Sequence, residues 1–155
     1  MSRATRLSRR VGVVAGATIL AFGAAYPPAQ AAVSTLFVGG ANCSDAGQGT
    51  QSQPFCTINK AAGVAVAGQT VVVASGTYNE TVTVKNSGSA GSPIVFQPAA
   101  GATVTVSGGT NGFILSSRQY VTISGFSVTG TSSYGISISG SNNIVGIRRA
   151  RAAIA

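Results

Sequence analysis

Residues 94–145 carry the strongest structural signal in this sequence and read IVFQPAAGATVTVSGGTNGFILSSRQYVTISGFSVTGTSSYGISISGSNNIV. Short β-branched and aromatic runs alternate there with Gly, Ser, Thr and Asn, a composition typical of very short strands joined by turns. The apolar runs fall at residues 94–96, 104–106, 113–115, 121–123, 126–128, 136–138 and 144–145. Earlier runs of the same kind lie at 33–38, 71–73 and 81–84.

The spacing of these runs predicts how the strands are arranged. Two series of apolar residues repeat, at intervals of 19 and 23 and of 17 and 23 residues: Ile94, Phe113 and Ile136, and Val104, Val121 and Ile144. A drifting repeat of about 20 residues, with three strands in each, is typical of a parallel β-helix whose coils stack about 4.8 Å apart. The adjacent Asn142 and Asn143 suit the side-chain ladders of such stacks.

An antiparallel sandwich is the alternative arrangement, because it too contains many short strands. Its strands usually run longer, and hairpin turns such as Asn-Gly should separate them. Asn111-Gly112 is the one dipeptide of that kind. The sequence therefore predicts an all-β chain forming a parallel β-helix of about three coils.

A different periodicity precedes the strands. Ile58, Ala61, Ala62, Ala65 and Val66 recur at helical spacing, with Thr57 as N-cap and Gly68 as stop signal. Before this short helix, residues 39–54 form a polar loop. Of the chain's two cysteines, Cys43 lies within this loop and Cys56 lies just after it. We predict a disulfide between them. A two-cysteine zinc site is the alternative. The chain, however, has no histidine and only two acids that could supply the other zinc ligands.

Residues 1–31 have the pattern of a secretory signal peptide. Four arginines (Arg3, Arg6, Arg9, Arg10) precede an apolar stretch at 11–25, and Ala29-Gln30-Ala31 offers a cleavage site between Ala31 and Ala32. A transmembrane anchor is the alternative, but the apolar stretch is shorter than the ~20 residues a bilayer needs. Ser8-Arg9-Arg10 also suits twin-arginine export, and the sequence does not separate that route from the general one. We expect a secreted protein without a membrane partner once the signal is removed.

The net charge of +8 does not indicate a nucleic-acid partner. Four of the arginines lie in the predicted signal peptide, and Arg148, Arg149 and Arg151 lie near the other end of the chain. Residues 32–147 contain three basic and two acidic residues, so this part of the chain is close to neutral. A nucleic-acid surface would need clustered Lys and Arg on one face, so we expect no such partner.

Six segments carry a resemblance to secreted right-handed parallel β-helix proteins of the pectate-lyase superfamily: PFCTINKA at 54–61, AGQTVVV at 67–73, SGTYNE at 75–80, GSPIVF at 91–96, YVTISGF at 120–126 and GSNNI at 140–144. The likeness covers residues 33–145 and concerns the N-terminal portion of such proteins. It implies a right-handed helix whose open end is capped by the short helix at 57–66. Members usually carry Asp where this chain has Gln69, a difference we interpret as structural.

The resemblance also implies what an enzyme of this kind needs. Pectate lyases cleave by β-elimination, with calcium bound by several carboxylates and Arg or Lys as base. Calcium takes six to eight oxygen ligands, yet Asp45 and Glu80 are the only acids in this chain. Glycoside hydrolysis would require the same two acids to flank one bond. We therefore expect no catalytic residue and no metal site in this chain, although calcium can serve longer relatives.

Three residues are candidates for contacting an acidic sugar: Lys85, Arg118 and Tyr120. The alternative for each cation is an ordinary solvated side chain. The alternative for Tyr120, as for Tyr78 and Tyr134, is packing against neighbouring strands.

The C-terminal residues 148–155 (RRARAAIA) form an Arg/Ala-rich tail unlike the preceding sequence. We therefore assign 32–147 to the N-terminal part of the β-helix domain. One hypothesis is a broken reading frame that truncates a longer β-helix, which further coils in another frame of the downstream DNA would support. The alternative is a short natural tail.

Together these patterns indicate a secreted β-helix protein directed at polysaccharide, of pectate-lyase-like descent and inactive as this fragment. An acidic polysaccharide is the expected partner, and no cofactor is expected here. The alternative is a non-enzymatic cell-surface, adhesion or carbohydrate-binding module. The sequence specifies neither the sugar nor its linkage.

Overall fold

The computed structural model describes residues 34–150, with side chains as far as Arg148. The predicted signal peptide at 1–31 and its cleavage point between Ala31 and Ala32 lie outside the described residues. Residues 151–155 of the predicted tail lie outside them too.

Short strands dominate the described region, with one helix near its start. In chain order the elements are β1 (Thr35–Val38), α1 (Ile58–Val64), β2 (Thr70–Val73), β3 (Gly76–Asn79), β4 (Val82–Thr83), β5 (Ile94–Pro98), β6 (Val104–Ser107), β7 (Asn111–Ser116), β8 (Val121–Ser124), β9 (Ser127–Thr129), β10 (Tyr134–Ser139), β11 (Ile144–Gly146) and β12 (Arg149–Ala150).

These strands form three parallel sheets. The first has the order β1-β2-β5-β8-β11, the second β3-β6-β9-β12 and the third β4-β7-β10. Three consecutive strands make one coil and place one strand in each sheet. The coils are β2–β4, β5–β7 and β8–β10. All pairings between these strands are parallel, which confirms the β-helix of about three coils and rules out the antiparallel sandwich.

The coil lengths differ from the spacing that the sequence suggested. Thr70 lies opposite Val95, Ile94 opposite Val121 and Thr122 opposite Ile144, so successive coils advance by 25, 27 and 22 residues. Of the two proposed series, the pairing of Phe113 with Ile136 is confirmed. The intervals from Ile94 to Phe113 and from Val104 to Val121 joined residues of different sheets. Val121 and Ile144 share the first sheet but lie one residue out of register. Turns of unequal length separate the strands, so spacing along the chain does not identify stacked positions.

The core is a set of inward-facing stacks. In the first sheet, the register aligns Leu36, Val71, Phe96, Ile123 and Val145 one above another. The middle members of this stack are fully buried, whereas Val145 is 37% exposed. Inward and outward residues alternate along each strand because successive side chains point to opposite faces.

Two aromatic residues pack together inside the coil, one in β7 and one in the turn between β8 and β9. The rings of Phe113 and Phe126 pack edge to face, with centroids 5.3 Å apart and planes at 65°. Both side chains are fully buried. Such pairs add about 0.5–1.5 kcal/mol beyond the burial of their area.

Helix α1 packs against β1, β2 and β4, at the coil where the β-helix begins. Thr57 is its N-cap, as predicted, and its hydroxyl accepts from Lys60 N at 3.1 Å. The helix ends at Val64, earlier than the apolar periodicity indicated, and Val66 is 48% exposed. The Val66 N–H donates to Gln69 Oε1 at 2.9 Å, so Gln69 holds the turn that follows the helix.

Two strands were not anticipated. β3 forms although Gly76 and Asn79 have weak strand propensity, because its pairing with β6 outweighs that propensity. β12 pairs with β9 beyond Ile147, the residue at which we placed the end of the β-helix. Backbone pairing requires no particular side chain, which explains why an Arg/Ala composition gave no sign of it.

Candidate functional site

The three predicted sugar contacts lie at one corner of the β-helix. We call this the basic corner and define it as the turns from the third sheet back to the first: residues 85–93, 117–120 and 140–143. Lys85 opens the first turn, while Arg118 and Tyr120 belong to the second. Lys85 therefore lies at the same corner as Arg118 and Tyr120, on consecutive coils, although more than thirty residues of chain separate it from them.

The turn that carries Arg118 has an unusual backbone. Ser117 and Tyr120 have φ angles of 56° and 53°, in the left-handed region that residues other than glycine rarely adopt. Such conformations cost about 1–3 kcal/mol each and persist only where surrounding contacts enforce them. The turn is therefore held in place by its neighbours.

Those neighbours belong to the coils on both sides. From the preceding coil, Gly88 N donates to Gln119 O at 2.9 Å, and Ser87 Oγ accepts from Gln119 N at 3.2 Å. From the following coil, Asn143 Nδ2 donates to Arg118 O at 2.8 Å and Asn143 Oδ1 accepts from Val121 N at 3.0 Å. The amide of Asn143 thus bridges backbone groups on either side of the turn instead of pairing with another amide.

The side chain of Arg118 is half-buried. Its Nε is fully buried and has no hydrogen-bond partner among the described residues. A buried donor without a partner is uncommon in native proteins and costs free energy. Lys85 is exposed, and Tyr120 is half-buried with its carbonyl oxygen accepting from Ile94 N at 3.0 Å.

Asp45 and Glu80, the two acids of the chain, both bind the N-terminal end of α1. Asp45 Oδ1 accepts from Cys56 N at 2.7 Å and Thr57 N at 3.1 Å, and Asp45 Oδ2 accepts from the Thr57 hydroxyl at 3.0 Å. Glu80 accepts from Ile58 N at 2.8 Å and Asn59 N at 2.9 Å. Anions are stabilised there by unpaired N–H groups and the helix dipole. The sequence did not reveal this role, since neither acid adjoins the helix in the chain.

The predicted disulfide between Cys43 and Cys56 is confirmed, with the two Cα atoms 4.8 Å apart. It closes the polar loop next to the bonds that Asp45 makes. Within residues 34–150, no group of three or more His, Cys, Asp or Glu side chains is arranged to hold a metal ion.

The remaining tyrosines differ in their environments. The Tyr78 side chain is partly buried against the core and its phenol donates to Ala74 O at 3.0 Å. Burial, and secondarily the nearby charge of Glu80, raise the pKa of the Tyr78 phenol. Tyr134 is 64% exposed at the start of β10, away from the basic corner.

A stack of parallel coils closed at one end by a helix defines a β-helix protein. The sequence matches the family model of the Pel9A-like, right handed beta helix region over residues 37–152, and the chain belongs to this family. The match confirms the resemblance to the pectate-lyase superfamily. No helix within the described part of the chain is long and apolar enough to cross a membrane.

One relative gives a further comparison. The chain is 45% identical over 67 residues to the uncharacterized protein YwoF of Bacillus subtilis (strain 168). The matched segment is 43% of this chain and 14% of that relative, so the similarity concerns a small part of a much longer protein.

Proposed function

We propose that this protein binds acidic polysaccharide at the basic corner and does not cleave it. The observation that carries the proposal is the placement of the charged groups. Lys85 and Arg118 lie on consecutive coils of one corner, whereas both carboxylates of the chain bind the backbone of α1. The ligand is the acidic polysaccharide expected from the sequence, and the protein acts as a non-enzymatic carbohydrate-binding module.

An acidic sugar suits the groups at this corner. A guanidinium binds carboxylates through paired, directional hydrogen bonds, and an exposed ammonium adds a mobile positive charge. Tyr120 supplies an aromatic surface beside them. The family to which the chain belongs supports polysaccharide as the class of ligand.

The position of the acids supports binding without cleavage. Calcium-dependent elimination needs several carboxylates that converge on a cation. Asp45 and Glu80 instead satisfy N–H groups that would otherwise lack partners at the start of α1. Recruiting either acid for catalysis would expose those donors and loosen the helix.

We also propose an extracellular location. The signal-peptide pattern of residues 1–31 and the Cys43–Cys56 disulfide support it, since disulfides persist mainly in oxidising compartments.

Binding of polygalacturonate tests the proposal, with a neutral galactan as comparison ligand. Wild type should bind polygalacturonate more tightly, and added salt should weaken binding because exposed charges are screened. Lys85→Gln and Arg118→Gln should each weaken binding, Arg118→Gln by about tenfold through loss of a charge-assisted contact. Arg148→Gln removes an exposed cation from the corner between the first and second sheets and is the matched control. Equal affinity of all variants would refute the basic corner as the site.

Release of unsaturated uronides separates binding from catalysis. The protein should release none from polygalacturonate with calcium present, while still binding it. Calcium-dependent release that survives purification of the protein would overturn the non-catalytic part of the proposal and favour a lyase.

A further inference from the structure

We infer that Asn143 is a positioning residue, which orients Arg118 toward a carboxylate of the bound sugar. The inference rests on the proposed function and goes beyond it by assigning a role to the third turn of the basic corner, residues 140–143, which carries none of the proposed sugar contacts. Asn143 touches no ligand in this scheme. It acts through the backbone of the turn that carries the arginine.

The hydrogen bonds of Asn143 show how it acts. Its amide donates to the carbonyl of Arg118 at 2.8 Å and accepts from the N–H of Val121 at 3.0 Å. One side chain therefore fixes a carbonyl in the middle of the turn and an N–H at its end. Because both bonds come from the next coil, the conformation of the turn depends on the stacking of that coil.

The backbone of the turn needs such support. Ser117 and Tyr120, on either side of Arg118, are both in the left-handed region. Gly140 of the following coil lies so close to the Arg118 carbonyl oxygen that a Cβ there would overlap it. Without the amide of Asn143, the turn can relax to a conformation that suits these residues better, and the direction of the Arg118 side chain changes with it.

The side chain of Arg118 shows what the orientation serves. Its Nε is buried without a partner among the described residues, and Asp45 and Glu80 bind backbone N–H groups at the start of α1 instead of the guanidinium. The buried Nε lies out of a ligand's reach, but a carboxylate of the ligand would supply the opposite charge and would accept from the terminal Nη groups of the guanidinium. The geometry therefore suits recognition of uronate groups more than of neutral sugar hydroxyls.

The test compares two ligands that share one backbone: polygalacturonate and its fully methyl-esterified form, which lacks the carboxylates. Wild type should prefer the acidic polymer. Asn143→Ala should lower affinity for it by about tenfold, as expected for a misplaced charge-assisted contact, with little change for the ester. The double variant Asn143→Ala, Arg118→Gln should bind the acidic polymer no more weakly than Arg118→Gln alone, because both changes remove the same interaction.

Asn111→Ala is the matched control. Asn111 Oδ1 accepts from Tyr134 N at 3.1 Å, so it also joins two coils, but between the second and third sheets. Its variant should lose stability without losing preference for the acidic polymer. If Asn143→Ala weakens both ligands equally, or leaves both unchanged, Asn143 is not a positioning residue. If Arg118→Gln and Lys85→Gln both leave affinity unchanged, the proposed site fails as well, so the two failures are distinguishable.

Discussion

Single glycines set how closely the coils approach each other. A Cβ at Gly112 would overlap the carbonyl oxygen of Gly135 in the next coil and the side chain of Val128. The Asn111-Gly112 dipeptide, which resembled a hairpin turn in the sequence, therefore lies inside β7 for a packing reason. The structural role of such a residue depends on its neighbours in the next coil, which the linear sequence does not show.

The phenol of Tyr78 should make stability depend on alkaline pH. Its pKa is raised above 10.0, mainly by burial and then by the charge of Glu80, so the folded protein holds the proton more tightly than the unfolded chain. The resulting stabilisation is complete below about pH 10 and is lost as pH rises through the raised pKa. Tyr78→Phe should therefore lose less free energy of unfolding than wild type over this window.

Urea unfolding from about pH 8 to about pH 11 measures this difference, because lysines titrating in the same range affect both proteins alike. At neutral pH, Tyr78→Phe should be less stable by about 1 kcal/mol, since the hydrogen bond to Ala74 is lost. Parallel pH profiles for the two proteins would show that the phenol does not contribute in this way.

Helix α1 is held to the β-helix by groups from outside itself. Asp45 reaches it from the disulfide-closed loop, Glu80 from the end of β3, and Asn59 Oδ1 accepts from Thr83 N at 2.9 Å. A helix of seven residues is too short to be stable alone, so these bonds and its buried face maintain it. The same arrangement engages both carboxylates in hydrogen bonds near the start of the helix.

Graded substitution of Glu80 tests this attachment. Glu80→Gln keeps an acceptor but removes the charge at the helix N-terminus, and should cost about 1 kcal/mol. Glu80→Ala leaves the N–H groups of Ile58 and Asn59 without their partner and should cost about 2–3 kcal/mol. Denaturant unfolding measures both. An Ala variant as stable as wild type would mean that the carboxylate does not hold the helix.

Residues 34–150 form a stack in which each coil touches only its neighbours. Burial is therefore uneven along it: Val71 is fully buried in the first coil, whereas Ile138, Ile144 and Val145 of the later coils are 44%, 66% and 37% exposed. Stability in such a solenoid is a sum of local contributions. The coil that supplies Asn143 to the basic corner is among the less buried.

Matched Val→Ala substitutions in one stack should reveal this gradient. Val71→Ala removes two buried methyl groups and should cost about 2–3 kcal/mol, including the cavity left behind. Val145→Ala, in the same stack but 37% exposed, should cost less than about 1 kcal/mol. Free energies of unfolding in denaturant give both values. Equal losses would show that the last coil is packed as tightly as the first.

The sequence by itself determined the class of fold, the helix N-cap at Thr57 and the disulfide. These features depend on local composition: β-branched runs between small polar residues, a capping side chain, and two cysteines, which allow one pairing. It also singled out Lys85, Arg118 and Tyr120, though their contact with sugar stays a prediction. Local patterns were sufficient here because strand propensity and capping act over a few residues.

Only the tertiary structure decided the register, the roles of the acids and the grouping of the site. Turns of unequal length hide which residues stack, so the spacing misassigned two of the repeats. Asp45 and Glu80 meet α1 across 11 to 22 residues of chain, and Asn143 meets Arg118 across 25. Contacts between coils join residues that are about one coil apart in the chain. The number of residues in a coil depends on its turns, so no local sequence pattern predicts which residues meet.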